Sequence, residues 1–331
     1  MKPQKVLILT NSEKSFVTLD NPPLRNVIAV NSQQHYLQQA TTPNTRRAYQ
    51  SAVRQFQAWG GALPADETMI VQYLLAQANR LNPRTLTLHL TALSHWHHYQ
   101  GFTDPTALPG VRKTLKGIQR THGTPKRKAK ALRLEHILIL VTYLSQQPGL
   151  KALRDSALIQ MGYFGAFRSS ELVVLTVEQC QFEPEGLIIQ LPRSKTDQEG
   201  QGKTKALPYG RLPLCPITAL KQWLEAAEIQ AGPIFRGIDR WDRLRPHALY
   251  VTSLNPMLKT VGKACGFDFV PELSSHSLRR GLATGAARAG ASFESIKRQG
   301  GWRSDSTVRE YIEEGQLFDD NAADSLLNPS Q

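Results

Sequence analysis

The 331-residue sequence has few cysteines and no long apolar run, and each scarcity removes a class of protein. Its three cysteines, Cys180, Cys215 and Cys265, lie far apart and form no CxxC pair. This spacing excludes a disulfide framework and a zinc finger, and it fits a reducing compartment. No window reaches the roughly 18 consecutive apolar residues of a membrane helix, and the short KVLILT run is not expected to be a signal peptide. We therefore expect a cytoplasmic protein without membrane contact.

Acidic residues are scarce in the first part of the chain. Residues 1–131 hold 17 Lys and Arg against five Asp and Glu, whereas residues 132–331 hold 23 against 22. Nearly all of the formal net charge of +13 therefore lies in the first part, most densely between Arg112 and Lys130. A solvated basic face is the simpler interpretation of such a run. Because the run continues a basic domain, we predict contact with phosphates and binding that weakens steeply with salt.

Hydrophobic periodicity predicts a small helical domain at residues 41–120. Apolar residues recur there at three- and four-residue spacing, which is typical of amphipathic helices. Residues 1–40 lack this periodicity and are predicted to be an arm, and the polar, basic segment 121–132 is predicted to be a linker. The predicted helices run from a cap at Thr45 to Gly60 and over 66–79, 83–99 and 105–118.

Residues 133–331 predict a second, mixed domain. Leu187–Leu191 has the pattern of a strand, and the extended pattern resumes at 206–209 after a polar, glycine-containing stretch, which indicates a hairpin. Helices are predicted over 134–146, 151–164, 169–176, 216–229, 253–265, 276–289, 292–299 and 305–314. The predicted fold class is therefore mainly α with a small β-sheet.

Two arginine motifs in this second domain suit an anion. His276 and Arg279 are three residues apart at a predicted helix start, so they share one face, and their N–H groups suit a phosphate. Alone, such a pair is most often a surface feature. Arg168 lies between two apolar helices and should be buried, so it needs an anion. Either Glu171 or a bound phosphate fits, and the segment leaves both open.

Two further segments indicate a function only when they are considered together with the arginine motifs. Lys195 lies in the predicted hairpin, where a solvated turn lysine is the simpler interpretation. The nearby Gly202-Lys203-Thr204 imitates a phosphate-binding loop, but the motif requires glycine where Asp197 stands, which excludes nucleotide binding of that kind. Gly300-Gly301-Trp302 is followed nine residues later by Tyr311, which alone would be an ordinary half-buried tyrosine.

The ordered set of these residues resembles the tyrosine recombinase (phage integrase) family over about residues 41–327. The resemblance is closest to the Cre-like branch, in which tryptophan, as in Gly300-Gly301-Trp302, replaces the histidine found in most of the family. The phrases Arg193-Ser194-Lys195-Thr196 and Ala287–Gly290 also look Cre-like. The positions that match the family's active residues are Arg168, Lys195, His276, Arg279, Trp302 and Tyr311.

The resemblance implies both a fold and a chemistry. It implies a helical core-binding domain and an α+β catalytic domain that clamp DNA, and a reaction without metal or nucleotide cofactor. Tyr311 would attack a DNA phosphodiester to form a 3′-phosphotyrosyl bond and release a 5′-hydroxyl. Arg168 and Arg279 would bind the phosphate oxygens, with Trp302 and His276 as further hydrogen-bonding groups, Lys195 as general acid and Glu171 orienting Arg168.

The resemblance also implies partners. Double-stranded DNA with specific recombination sites would be bound by a homotetramer on two sites, with strand exchange through a Holliday junction. The C-terminal segment would form a helix for exchange between subunits. A nucleoid-associated enzyme of a prokaryotic, phage or plasmid context is expected. The predicted DNA-binding residues are Arg46, Arg47, Arg84, Arg112, Lys113, Lys116, Arg120, Lys126, Arg127 and Lys128.

Three other functions share parts of this pattern. A type IB topoisomerase-like enzyme would use the same chemistry to relax DNA as a monomer. A non-catalytic DNA-binding protein on the same scaffold would need no complete set of active residues, and all six positions are filled here. A telomere resolvase would usually be a longer chain.

Overall fold

A computed structural model of the protein describes residues 41–125, 128–191 and 202–317, together with residues 323 and 327. The chain divides between residues 126 and 127 into two compact units. The arm predicted at residues 1–40 lies outside the described residues, as does most of the C-terminal segment predicted to exchange between subunits. Among the described helices, none combines the length and the apolar character needed to cross a membrane.

The described residues of the first unit form four α-helices, and side chains cap three of them. Thr42, Asp66 and Asn82 each accept a hydrogen bond from a backbone N–H in the first turn that follows, which satisfies groups that a helix start leaves unpaired. The core includes Phe56 and Tyr73, whose rings pack edge to face. The helices are α1 (Pro43–Trp59), α2 (Glu67–Gln77), α3 (Pro83–Tyr99) and α4 (Pro109–His122).

Two helix boundaries in this unit differ from the prediction. The first helix begins at Pro43 with Thr42 as its cap, so the predicted cap Thr45 lies within the first turn. The predicted helix over 105–118 is a short 3₁₀ turn, Pro105–Ala107, followed by α4, which continues to His122. Asp104 caps the 3₁₀ turn, and α4 restarts at Pro109 because proline suits the first helical position.

The described part of the second unit is mainly helical, with two small antiparallel sheets. Three strands form one sheet in the order β1-β2-β3, with Leu187 opposite Leu207, and β4 pairs with β5 in the other. The strands are β1 (Cys180–Phe182), β2 (Gly186–Leu191), β3 (Lys203–Pro208), β4 (Arg236–Ile238) and β5 (Leu244–Ala248). The helices are α5 (Leu134–Ser145), α6 (Leu150–Phe164), α7 (Ser169–Leu172), α8 (Pro216–Ala226), α9 (Leu254–Ala264), α10 (Ser275–Arg288), α11 (Phe293–Gly300) and α12 (Asp305–Gly315).

The core of this unit surrounds α6. Ten of its fifteen residues are buried, and it packs against α5, α8 and α10. Trp223 of α8 is fully buried and donates its indole N–H to the Ile234 carbonyl at 2.9 Å. Leu132 is also fully buried in this core, so the second unit begins within the segment predicted to be the linker. A rigid α6 places its C-terminal end, Phe164, at the candidate site described below.

The predicted helix 169–176 is half as long as expected. The chain leaves α7 after Leu172 because Leu175 and Thr176 pair with the segment at residues 233–234: the Ile234 N–H donates to the Leu175 carbonyl at 2.8 Å. Strands β1, β4 and β5 were not predicted. No strand residue of the β4–β5 hairpin is fully buried, and its sequence lacks the alternation that identifies a half-buried strand.

Candidate active site

Arg168 lies at the start of α7, where Glu171 holds it from two directions. The carboxylate of Glu171 accepts from the Arg168 backbone N–H at 3.0 Å and from its Nη1 at 2.6 Å. Glu171 is buried, whereas the Arg168 side chain remains 20% exposed. The sequence leaves two possible anions for Arg168, Glu171 and a bound phosphate, and the Glu171 carboxylate is therefore one partner. The exposed fraction leaves this guanidinium accessible to a second anion.

Arg279 lies on α10 and is only 5% exposed. Its Nη1 donates to the Ala166 carbonyl, and its Cζ lies 4.2 Å from the centroid of the Trp302 ring. Burial, and then the neighbouring charge of Arg168, lower the pKa of Arg279 to about 10. Among the residues that the structure describes, no acceptor faces its buried Nη2. A buried cation with an unused donor beside a second arginine is a site for an anion.

Trp302 is placed by the two glycines before it. Gly301 ends α11 with φ of 63°, a conformation that favours glycine. A Cβ at Gly300 would overlap the Trp302 ring. Because glycine has no Cβ, the ring can pack against the end of α11. The Trp302 ring is 9% exposed, and its centroid lies 5.5 Å from that of Tyr311.

Tyr311 is half-buried on α12, between the tryptophan and the arginines. Burial raises the pKa of its phenol, while the charges of Arg280 and Arg279 act to lower it. Arg280 also fixes α12: it donates to the Ala129 carbonyl and forms an ion pair with Glu314. A phenol in this setting becomes a nucleophile only when its proton is removed or its oxyanion is stabilised.

The structure therefore brings together Arg168, Glu171, Arg279, Trp302 and Tyr311. His276 lies one turn before Arg279 on α10, where it is exposed. Lys195 lies outside the described residues.

A buried lysine that the sequence interpretation missed joins this group. Lys205 on β3 is 7% exposed and donates to the carbonyls of Gly165, at 2.8 Å, and of Gln299. Its Nζ lies 5.0 Å from the centroid of the Phe167 ring. Burial, and then the charge of Arg279, lower the pKa of Lys205 to about 7. Lys205 and Leu207 share the inner face of β3, where they alternate with the exposed Thr204 and Ala206. This period-two pattern was the available signal that Lys205 points inward.

The predicted DNA-binding residues have differing surroundings. One group forms an exposed stripe on α4, opposite the buried Val111 and Ile118; its members are Arg112, Lys113, Lys116 and Arg120. Arg47 is exposed on α1, and Arg46 donates to the Thr41 carbonyl. Arg84 donates to the Thr124 carbonyl at 2.9 Å, and Lys128 pairs with Glu310, so both also hold the fold. Lys126 and Arg127 lie outside the described residues.

Comparison with known proteins identifies the family. Residues 130–316 match the model of the phage integrase family. The chain is 36% identical over 301 residues to the integrase/recombinase XerD homolog of Selenomonas ruminantium, covering 88% of each chain. It is 25% identical over 300 residues to the recombinase Cre of Escherichia phage P1, covering 83% of this chain and 85% of that protein.

A solved structure shows the same fold. The XerH site-specific recombinase, bound to palindromic difH substrate in a post-cleavage complex, matches with a TM-score of 0.56 at 17% identity. The match covers 80% of this chain and 72% of that one. The fold, the family model and the 36% identity all agree, and the chain thus belongs to the phage integrase family of tyrosine recombinases, enzymes that cleave and rejoin DNA.

Proposed function

We propose that this recombinase cleaves a specific DNA site with Tyr311 as the nucleophile and that the two arginines, Arg168 and Arg279, bind the reacting phosphate. The observation that carries the proposal is the buried Nη2 of Arg279, which faces no acceptor among the described residues. It belongs to a guanidinium that stacks on Trp302 and whose charge influences the phenol of Tyr311. A scissile phosphate in this position would satisfy the donor and lie beside the phenol.

The proposed cleavage step is a transfer of a phosphoryl group between two oxygens. The Tyr311 oxygen forms a bond to phosphorus while the bond from phosphorus to the 5′-oxygen breaks. The phenol loses its proton, with His276 assisting, and the leaving 5′-oxygen gains one. The resulting 3′-phosphotyrosyl bond is a phosphodiester like the bond it replaces. Rejoining to the 5′-hydroxyl of another strand reverses the step without an external energy source.

The arginines act where charge develops. The pentacoordinate transition state carries extra negative charge on its non-bridging oxygens, and fixed donors aimed at those oxygens stabilise it more than they stabilise the ground state. Glu171 holds Arg168 from two directions, so this donor needs little reorganisation during the reaction. The indole N–H of Trp302 is proposed as a further donor.

Lys195 is proposed to protonate the leaving 5′-oxygen. Lys195→Ala should slow cleavage of ordinary DNA strongly, by roughly 10²–10⁴-fold, because general acid catalysis is lost. A substrate with a 5′-thiol leaving group needs no such proton, so the variant should cleave it at close to the wild-type rate. Single-turnover cleavage of the two substrates measures the difference. Equal slowing on both substrates would contradict the acid role.

The partner is proposed to be double-stranded DNA with paired recombination sites, bound by four protomers that exchange strands through a Holliday junction. The exposed basic stripe of α4 is proposed to contact DNA phosphates, together with Arg47 and with Lys126 and Arg127 of the linker. The relative XerH is bound to a palindromic substrate, which supports two inverted half-sites for this chain also. A prokaryotic nucleoid, including phage or plasmid DNA, is the proposed setting.

The test of this function begins with the site itself. Purified protein is incubated with fragmented DNA from its source, covalent adducts are isolated, and the attached ends are sequenced. A plasmid carrying two copies of the recovered site should then yield recombinant products. Relaxation of supercoiled plasmid without recombination would instead support the topoisomerase alternative, and adducts spread over unrelated sequences would contradict site specificity.

A further inference from the structure

We infer that Lys205 is a positioning residue of the active site, which ties strand β3 to the two segments that carry Arg168 and Trp302. The inference rests on the proposed function of those two residues. Lys205 itself contacts two backbone carbonyls and an aromatic ring, so its role is to fix where the catalytic groups stand.

The three segments meet at the Lys205 side chain. The Gly165 carbonyl belongs to the turn after α6, three residues before Arg168. The Gln299 carbonyl belongs to the end of α11, three residues before Trp302. Lys205 itself is on β3, which pairs with β2. One side chain therefore bonds to two of these segments and is part of the third.

A second residue joins the same three segments by independent bonds. The Gln299 side chain donates through Nε2 to the Phe164 carbonyl at 2.8 Å, and the same Nε2 lies 3.4 Å from the Ala206 carbonyl on β3. Phe164 and Gly165 are adjacent, as are Lys205 and Ala206. The junction is therefore double, which is the arrangement expected where a fixed geometry matters.

The charges around Lys205 favour this role over simple ion pairing. Arg279 faces it from α10, and Arg168 and Glu171 face it from the start of α7, with Lys203 on its own strand. Three of these four neighbours are cations, so a buried ammonium is disfavoured. A neutral amine still has two N–H bonds, which match the two carbonyls. Lys205 can thus hold the junction without a buried unpaired charge.

The experiment compares Lys205→Met with Lys263→Met, which removes an exposed lysine from α9. Methionine keeps the apolar stem of Lys205 and removes its donors. Because misplacement of catalytic groups is costly, we expect Lys205→Met to slow single-turnover cleavage by roughly 10–10²-fold. DNA affinity should stay within about twofold. Lys263→Met should behave as wild type.

A leaving-group comparison separates positioning from proton donation. Lys205→Met should slow cleavage of the ordinary substrate and of the 5′-thiol substrate equally, because the geometry is altered for both. A 5′-thiol substrate that restores the rate would overturn the inference by making Lys205 the proton donor. An unchanged rate on the ordinary substrate would also overturn it.

A measurement without turnover keeps the inference separate from the proposed function. Hydrogen exchange of backbone amides should speed up at residues 165–168 and 299–302 in Lys205→Met, and stay unchanged in the first unit. If Lys205→Met fails to fold, Lys205→Gln keeps a shorter polar side chain, should lose the bonds to both carbonyls, and should speed exchange in the same two segments. Unchanged exchange there would overturn the inference even if the wild type formed no DNA adduct, which would by itself contradict only the proposed function.

Discussion

Tyr311→Phe is expected to abolish the covalent protein–DNA adduct while leaving DNA affinity within about twofold of wild type. The substitution removes only the phenol oxygen, which is the atom proposed to attack phosphorus. The ring is retained, so packing against Trp302, with centroids 5.5 Å apart, should be preserved. A nicked DNA substrate that traps the adduct, resolved on a denaturing gel, measures the loss, and a native gel shift measures binding.

Tyr163→Phe is the matched control for loss of a tyrosine hydroxyl. Tyr163 is buried in the same unit, where its hydroxyl donates to the Gly281 carbonyl at 3.3 Å. This variant should lose some stability and still form the adduct. An adduct that persists in Tyr311→Phe would show that another residue is the nucleophile, and mass spectrometry of the attached peptide would identify it.

Arg279→Ala should slow cleavage by roughly 10²–10³-fold, the usual effect of removing one donor to a developing oxyanion. The effect should be large here because Arg279 is buried, and charge stabilisation is stronger where water is excluded. Substrate binding should change less, since many phosphate contacts share it. Cleavage under single-turnover conditions with saturating protein separates the chemical step from binding.

Arg288→Ala removes the same charge from the other end of α10 and serves as the control. Arg288 donates to the Gly315 carbonyl, and it lies about 13 Å further along the helix axis. Its loss should leave the cleavage rate close to wild type. Similar slowing by both variants would indicate a general charge effect and contradict a specific phosphate contact for Arg279. Thermal unfolding of each variant checks that the fold is retained.

The parts of the site that the sequence predicts are those encoded within a few residues. Arg168 and Glu171 are three residues apart across a helix start, so the sequence indicates Glu171 as one of two possible partners of Arg168. The structure contains this ion pair. Gly300-Gly301-Trp302 likewise fixes a local backbone. The family resemblance supplied the order of the remaining residues, and the family itself is confirmed.

The parts that the sequence did not predict depend on distant contacts. Lys205 meets carbonyls that are 40 and 94 positions away in sequence, and the period-two pattern of β3 gives its face without indicating these partners. The end of α7 was overestimated because its termination depends on pairing with residues 233–234. The catalytic roles of Arg168, Lys195, His276, Arg279, Trp302 and Tyr311 stay predictions, since they rest on the resemblance.

The anchoring of α12 limits how the second unit can be produced as a separate fragment. Arg280 reaches both the Ala129 carbonyl and Glu314, and Lys128 pairs with Glu310, the residue before Tyr311. Expression from residue 133, where the sequence predicts the start of the second domain, would delete Lys128, Ala129 and the fully buried Leu132. The helix bearing the tyrosine would then lose its ion pair with Lys128, and Arg280, which pairs with Glu314 of that helix, would lose its bond to the Ala129 carbonyl. A useful truncation therefore has to retain the chain from Lys128 onward.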